Sequence, residues 1–182
     1  MAIHFSFNQA NFQLGVISDT HGLLRPEALE LLQGVDMIIH AGDIGSPEIL
    51  ETLKAIAPVS AVRGNMDGEP LGMILPEAES IQIGAVLIHV LHDLTRLQCN
   101  PSDEGIHMVI NGHTHRPLLH TVKEVVYLNP GSAGPRRLGL PVSLARVSFT
   151  NGEISARHID LDQHRLYGTE TLKTGSGTSP TG

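Results

Sequence analysis

The chain has 182 residues, a length typical of one domain, and about 70% of the surface of an unfolded chain this long can be buried. Its formal net charge of −7 at pH 7 disfavours sequence-independent binding to a nucleic-acid backbone, which requires a basic face. With no Trp, two Tyr and four Phe, there is also little aromatic surface for base stacking, so no long nucleic acid is expected as a partner. Histidine is abundant at eleven residues and is the commonest metal ligand, so the positions of the histidines are the first clue to function.

Cysteine content and hydropathy predict the compartment. Cys99 is the single cysteine and cannot form an internal disulfide, which fits a reducing cytoplasm. Residues 1–12 lack the cationic start and apolar run of a secretory signal. No apolar stretch approaches the ~20 residues of a membrane helix. We therefore expect a cytoplasmic protein that does not associate with a membrane.

Short apolar runs that end in polar, glycine-containing turns indicate strands buried on both faces. In the first half, predicted strands at 13–18, 37–41 and 59–62 alternate with predicted helices that begin at Pro26 and after Ser46. The second half is predicted to be mostly strands, at 80–83, 85–91, 108–110, 118–122, 125–128, 143–148 and 154–159. The βαβαβ start requires a parallel sheet, and the later hairpins require antiparallel additions or a second sheet. The pattern predicts an α/β sandwich.

Domain boundaries follow from the same pattern. We predict an N-terminal extension at 1–12, a single domain at 13–166 and a disordered tail at 167–182, which has almost no apolar residues. Asn151-Gly152 is a typical hairpin turn between the last two predicted strands.

Metal-ligand residue types follow five of the predicted strands. The five turns are Ser18-Asp19-Thr20-His21-Gly22, Ala41-Gly42-Asp43, Gly64-Asn65-Met66-Asp67, Leu91-His92-Asp93 and Asn111-Gly112-His113-Thr114-His115. In an open parallel sheet the carboxyl ends of the strands lie along one edge, so these side chains are predicted to form one site. Seven mixed oxygen and nitrogen ligands exceed the four of a closed zinc site, and two ions that share a carboxylate fit the count better. Two ions roughly 3.5–4 Å apart are typical of phosphoryl hydrolysis.

The spacing of residues within the turns predicts which ligand side chains point the same way and where the backbone bends. Residues two apart in an extended segment point to the same side, so Asp19 and His21 should close on one ion. In a turn, His113 and His115 either do the same or diverge toward two ions. The neighbouring glycines, such as Gly42 and Gly64, are expected to permit sharp backbone bends.

These motifs resemble the signature of calcineurin-like metallophosphoesterases. Asn129-Pro130-Gly131-Ser132 narrows the resemblance to the small bacterial and archaeal phosphodiesterase branch, which shares its fold with a eukaryotic retromer subunit. The resemblance covers about 13–159 and implies a four-layer α/β/β/α sandwich, with two mixed sheets and flanking helices. It implies a first ion bound by Asp19, His21, Asp43 and His115, and a second bound by Asp43, Asn65, His92 and His113. Asp43 would bridge both ions, and Asp43, Asn65 and His92 would be the catalytic residues around an attacking water.

The sequence departs from the family pattern in two motifs. Many relatives have a histidine after the metal-binding asparagine, where it protonates the leaving oxygen, but here that position is Met66. The fourth motif usually reads His-Gly and here reads His92-Asp93, so His89 is a competing ligand. We favour His92 because it ends the apolar run. His40 is expected to be either a hydrogen-bonded core residue or a residue that orients a ligand carboxylate from outside the ligand shell.

The resemblance predicts a metal-dependent phosphodiesterase that hydrolyses small phosphodiesters. Two divalent ions are the expected cofactors, Mn²⁺ first, with Ni²⁺, Fe²⁺, Co²⁺ or Zn²⁺ compatible with the same donors. Arg136 and Arg137 are candidate contacts for the substrate phosphate. The alternative is a catalytically weak or inactive binding scaffold of the same fold, and the edge strands are compatible with a homo-oligomer.

Overall fold

Two six-stranded sheets dominate the computed structural model, which describes residues 3–5, 11–150 and 153–173. The first sheet has the spatial order β1 (Ile3–Phe5), β5 (Ala78–Ile83), β6 (Val86–Leu91), β7 (Met108–Ile110), β9 (Val125–Asn129) and β8 (Leu118–Val122). The second has the order β12 (Arg165–Lys173), β11 (Glu153–Asp160), β10 (Ser143–Thr150), β2 (Asn11–Ile17), β3 (Met37–His40) and β4 (Val59–Ala61). Both sheets contain parallel and antiparallel pairs. The predicted α/β sandwich with two mixed sheets is confirmed.

The main core lies between the two sheets, and alternation along the strands builds it. Phe12, Leu14 and Val16 of β2 face the other sheet and are almost completely buried. The neighbouring β3 residues Ile38 and Ile39 point to opposite faces, and both are fully buried. The second face of β3 packs against helices, which explains why the strand is a continuous apolar run.

Three short helices connect the strands: α1 (Pro26–Leu31), α2 (Pro47–Lys54) and α3 (Leu71–Ile74). Ser46 occupies the N-cap position of α2, as predicted, although its side chain makes no capping hydrogen bond. Leu50 and Leu53 of α2 pack onto the outer face of the second sheet. Within the described ranges, no helix has the length and apolar character needed to cross a membrane.

The outer face of the first sheet is covered differently. A single 3₁₀ turn at Leu94–Arg96 and the loop that follows it, up to residue 107, pack onto the sheet. Leu97 and Ile106 of this segment contact an apolar cluster that includes Leu91 and Val109. In the described part of the chain, this outermost layer is therefore mostly loop, which leaves room for a groove beside β6.

The domain boundaries differ from the sequence prediction at both ends. β1 pairs in parallel with β5, so residues 3–5 of the predicted extension belong to the first sheet. β12 pairs with β11, so residues 167–173 of the predicted tail form an edge strand, in which Leu172 packs against the core. Residues 174–182 and the predicted Asn151-Gly152 turn lie outside the described residues. Thr150 and Glu153, which flank that turn, are paired.

Candidate metal centre

The predicted ligands converge where the two sheets meet at the carboxyl ends of their strands. The loops after β2 and β3 are joined by a hydrogen bond from the Asp19 N–H to the Gly42 carbonyl, 3.0 Å. The loops after β6 and β7 are joined by one from the Gly112 N–H to the His92 carbonyl, 2.9 Å. The His113 N–H donates to Asp19 Oδ2 across the two sheets, 3.1 Å. The site therefore depends on the register of four strands and not on one local motif.

Asp19, His21 and His115 form one cluster, which we call the enclosed set. His115 Nε2 lies 3.2 Å from Asp19 Oδ1 and 3.2 Å from His21 Nε2. His21 Nε2 is 3.9 Å from the same carboxylate oxygen. The two imidazole rings stack at a centroid distance of 5.0 Å. One carboxylate oxygen and two ring nitrogens thus face a common point.

Asn65, His92 and His113 form a second cluster, the open set. Asn65 Oδ1 lies 3.2 Å from His92 Nε2 and 2.9 Å from His113 Nδ1. His92 is buried and its Nδ1 contacts the Ala41 carbonyl at 2.7 Å, whereas Asn65 and His113 are exposed. The contact with Ala41 orients the His92 ring so that Nε2 faces the cluster.

Asp43 lies between the two sets. Its Oδ2 is 3.4 Å from His92 Nε2 and 3.9 Å from His21 Nε2. Its Oδ1 accepts a hydrogen bond from the Met66 N–H, 2.8 Å, which fixes the carboxylate plane. Asp19, Asp43 and His92 also offer ligand atoms within 4.8 Å of one another, so both carboxylates are close to both sets.

These residues fit a centre for two divalent ions. Asp19 Oδ1 is buried without a hydrogen-bond partner, a costly arrangement unless a cation or proton neutralises it. The Nε2 atoms of His21 and His115 face each other, and at most one of them can donate to the other. Carboxylate, amide oxygen and imidazole donors together suit first-row divalent ions.

Electrostatics within the cluster favours a neutral His21 and an ionised Asp43, as metal binding requires, but also a protonated His92, which must lose its proton before it can bind a metal. Burial lowers the pKa of His21 below its ordinary value despite the nearby Asp43 and Asp19, so its imidazole is neutral near pH 7. For Asp43, burial raises the pKa, but contacts with His92 and the Met66 N–H bring it below its ordinary value. For His92, burial lowers the pKa, but Asp43 and the Ala41 carbonyl raise it above its ordinary value. Asp43 and His92 therefore stabilise each other's charged forms.

Five of the predicted ligands have a left-handed backbone. The φ angles are 55° at Asp19, 45° at His21, 53° at Asp43, 70° at His113 and 57° at His115. The expectation that Asp19 and His21 converge along an extended segment was therefore wrong, because a strained turn brings them together. His113 and His115 diverge, the first toward Asn65 and the second toward Asp19. Non-glycine residues in this region cost on the order of 1 kcal/mol each and cluster at functional sites.

The glycines beside the ligands have two different roles. Gly42 has a φ of +92°, and a Cβ there would lie 2.6 Å from His92 Nδ1, so both conformation and space require glycine. Gly64 has no such φ, and a Cβ there would collide with the Asp43 carboxylate. The predicted backbone bend therefore applies to Gly42, whereas Gly64 permits close approach.

Asp67 joins the loop that follows Asp43 to the loop that carries Asn65, whereas the sequence left open whether it is a turn residue or a carboxylate that supports the ligands. It is buried, and its Oδ1 accepts hydrogen bonds from the Ile44 and Gly45 N–H groups at 2.8 and 2.9 Å. Its Oδ2 accepts one from the Gly64 N–H at 2.8 Å. One carboxylate thus fixes the loop after Asp43 against the loop that carries Asn65.

The Asn129–Ser132 turn supports the histidine loop. Asn129 Nδ2 donates to the Gly112 carbonyl, 2.6 Å, and to Thr114 Oγ1, 3.2 Å. Ser132 Oγ donates to the Asp19 carbonyl, 2.9 Å. The motif that narrowed the resemblance therefore positions ligands without being one.

Two other histidines lie outside the cluster. His89 Nδ1 contacts Ser80 Oγ at 3.0 Å within the first sheet, so it is His92 that joins the ligands. His40 Nε2 contacts Thr20 Oγ1 at 2.9 Å and no carboxylate, so of the two alternatives the hydrogen-bonded core residue is the one observed. The Thr20 hydroxyl donates its proton to the Ile44 carbonyl, so it can only be the acceptor in its hydrogen bond with His40 Nε2. Complete burial lowers the pKa of His40 to about 4, which keeps the ring neutral.

The two candidate phosphate-binding arginines differ. Arg136 forms a surface ion pair with Asp162, at 2.6 Å. Arg137 is exposed, and its charge contributes to lowering the pKa of His21, so it lies on the side of the enclosed set. Arg137 is therefore the better candidate of the two.

A groove of about 750 Å³ opens beside the open set. Asn65, His92 and His113 line one end, and the groove continues along β6 under the 3₁₀ turn. A ligand held at the metal centre can therefore extend into a lined cavity of the size typical for small molecules.

Comparison with known proteins agrees with this geometry. The family model of the calcineurin-like phosphoesterase superfamily domain matches residues 12–152. A probable metallophosphoesterase of Methanocaldococcus jannaschii is 39% identical over 165 residues, covering 82% of either chain. A phosphodiesterase of the same organism is 26% identical over 147 residues, covering 71% of this chain and 89% of the relative. The structure of vacuolar protein sorting 29 from Cryptosporidium parvum has the same fold, with a TM-score of 0.76 at 20% identity over 90% of this chain and 98% of that one. The chain thus belongs to the calcineurin-like phosphoesterase superfamily, a family of metal-dependent phosphoesterases.

Proposed function

We propose that this protein is a phosphodiesterase that uses two divalent ions, Mn²⁺ first, to hydrolyse small phosphodiesters in the cytoplasm. The observation that carries the proposal is the position of Asp43 Oδ2 between His21 and His92, because a shared carboxylate is what a two-ion centre requires. The relative that is named a phosphodiesterase supports the proposal that the substrate is a phosphodiester.

The two ion sites would be those of the enclosed set and the open set, with Asp43 common to both. When bound, divalent ions supply positive charge to the phosphoryl oxygens and lower the pKa of water toward neutrality. Among the chain's own groups, the Asn65 amide can donate a hydrogen bond to a phosphoryl oxygen at the exposed side of the centre. Arg137 can add a bidentate contact from the side of the enclosed set.

The leaving group is constrained by Met66. Its side chain is 65% exposed and has no proton to give, while its backbone N–H is used by Asp43. Diesters with acidic alcohols, such as aryl esters, need no protonation of the leaving oxygen, so they should be the better substrates. The net charge of −7 further favours small diesters over long nucleic acids.

Hydrolysis of bis-p-nitrophenyl phosphate by chelator-stripped protein, with and without added Mn²⁺, tests the proposal. We expect turnover only with the metal, and we expect His115→Ala to abolish it because that change removes a donor of the enclosed set. His164→Ala, at an exposed position outside the site, is the matched control and should retain turnover. Metal binding without turnover for any divalent ion would overturn the proposal and favour the binding-scaffold alternative.

A further inference from the structure

The groove beside the open set has a lining that is unlike the metal centre. Its lining includes His89 and Leu91 of β6, here called the floor, and Leu97 and Cys99 of the segment that follows the 3₁₀ turn, here called the wall. Leu91, Leu97 and Cys99 belong to one apolar cluster on the outer face of the first sheet. The floor and the wall therefore offer apolar surface directly next to a polar, charged site.

The charges around the groove balance. Arg63, Arg96, Glu77 and Asp93 line it, two of each sign. Arg63 is already paired with Glu77 at 2.6 Å and also donates to the Gly72 carbonyl at 2.7 Å. Asp93 accepts hydrogen bonds from the Thr95 N–H and hydroxyl at 3.0 and 2.8 Å. Arg96 is exposed and its charge acts on Asp93, where it contributes to lowering the pKa. The four charges sum to zero, so the groove has no net charge that would favour a second anionic group.

We propose that this groove binds one ester substituent of the substrate, and that this substituent is a neutral, flat ring of aryl or nucleosidyl type. The inference rests on the proposed function, because the metal centre must hold the phosphoryl group that positions the ring. About 750 Å³ is far more space than an alkyl group such as methyl needs. Apolar walls suit the faces of a ring, and the side chains of Thr95, Gln98 and His89 suit polar groups at its edge.

Isothermal calorimetry on the Mn²⁺-loaded protein tests this without requiring turnover. The probes are methyl phosphate, phenyl phosphate and thymidine 5′-phosphate. We expect phenyl phosphate to bind about tenfold more tightly than methyl phosphate, because one ring is removed from water. A further gain for thymidine 5′-phosphate would identify a nucleosidyl group, whereas equal affinity for the two ring compounds would identify an aryl group. Equal affinity for all three probes would overturn the proposal.

Two matched variants locate the binding surface. Ala78 is exposed, lines the groove and pairs with Leu91, so the ring of Ala78→Phe should obstruct the apolar part of the groove and weaken the preference for phenyl phosphate. Ala85 is equally exposed but lies in the turn at the other end of the same hairpin, so Ala85→Phe should keep the preference. Retention of the preference in Ala78→Phe would overturn the assignment. A lack of phosphodiester hydrolysis with the preference intact would instead count against the proposed function alone.

Discussion

The enclosed set and the open set share their loops and Asp43 but differ in their surroundings. In the enclosed set the side chains of Asp19, His21 and His115 are 0%, 17% and 12% exposed. In the open set Asn65 and His113 are exposed and border the groove. The enclosed set is formed at strand ends with a strained backbone, whereas Asn65 comes from a loop that Asp67 holds in place. We infer from this difference that the enclosed set holds an ion, whereas the open set faces the substrate.

The largest expected effect comes from removing the group common to both sets. Asp43→Ala should lower phosphodiester hydrolysis roughly 10³-fold, since losing metal-ion catalysis costs several kcal/mol of barrier. Metal analysis should show loss at both sites, because Asp43 Oδ2 faces both sets. Asp103→Ala, at an exposed loop position, is the control. Two ions per chain in Asp43→Ala would show that the sets are independent and that Asp43 does not bridge them.

The free energy of unfolding should depend on pH through His40, which contacts Thr20 next to the enclosed set. The pKa of His40 is about 4 in the folded protein and about 6.5 in an unfolded chain. Between these values only the unfolded state binds the proton, so the free energy of unfolding falls as the pH drops from 6.5 to 4. The slope is at most ~1.4 kcal/mol per pH unit, and it falls near pH 4 because His40 of the folded protein then begins to bind the proton too, so the loss accumulated at pH 4 is about 3 kcal/mol.

Urea unfolding of metal-free protein between pH 6.5 and 4.5 measures this dependence. His40→Gln keeps a donor for Thr20 without a titrating ring and should flatten the curve relative to the unmodified protein. His164→Gln, at an exposed histidine, should leave the curve unchanged. A curve for His40→Gln as steep as that of the unmodified protein would mean that the buried ring does not control acid stability.

The link between the two sets should be measurable at Asp67. In Asp67→Asn one oxygen becomes an NH₂ group that cannot accept from the backbone, so one of the three N–H donors loses its partner. We expect a loss of about 2 kcal/mol in the free energy of unfolding. Asp36→Asn is the matched control, because Asp36 accepts from only the Gln13 N–H and an amide oxygen can replace it. Equal losses in the two variants would contradict the role of Asp67 as a link.

Much of the fold was predictable because polar, glycine-containing turns mark the ends of its short apolar runs. β7 and β8 have the predicted bounds, and the centre of the sandwich was predicted from strands such as β3, which is buried on both faces. β12 was missed because it is an edge strand of mostly exposed residues, whose composition resembles a tail. Its structure comes from pairing with β11, which no local pattern shows.

The sequence predicted which residues form the site but not the backbone geometry that brings them together. Asp19, Asp43 and the histidines after β7 stand at strand ends, and topology alone brings such positions to one edge. Their left-handed backbone could not be read from the sequence, because Asp and His adopt it more often than other non-glycine residues but still only in a small fraction of cases. The sequence could not decide whether Asp67 is a turn residue or a carboxylate that supports the ligands, because two of its three hydrogen bonds reach a loop that is distant in sequence. The partner of His40 was missed for the same reason.

The smallest expected effect separates the two neighbouring arginines. Arg137→Ala should raise the KM for a small diester about fivefold, which corresponds to the roughly 1 kcal/mol of an exposed ionic contact. Arg136→Ala should leave the KM unchanged, because its guanidinium is held by Asp162 on the surface. Steady-state kinetics at two salt concentrations measures both, and only the contribution of Arg137 should weaken with salt. A larger KM change in Arg136→Ala than in Arg137→Ala would reverse the assignment, and the phosphate contact would then involve breaking a surface ion pair. The expected order would assign the phosphate contact to Arg137, whose charge acts on His21 of the enclosed set, and not to Arg136.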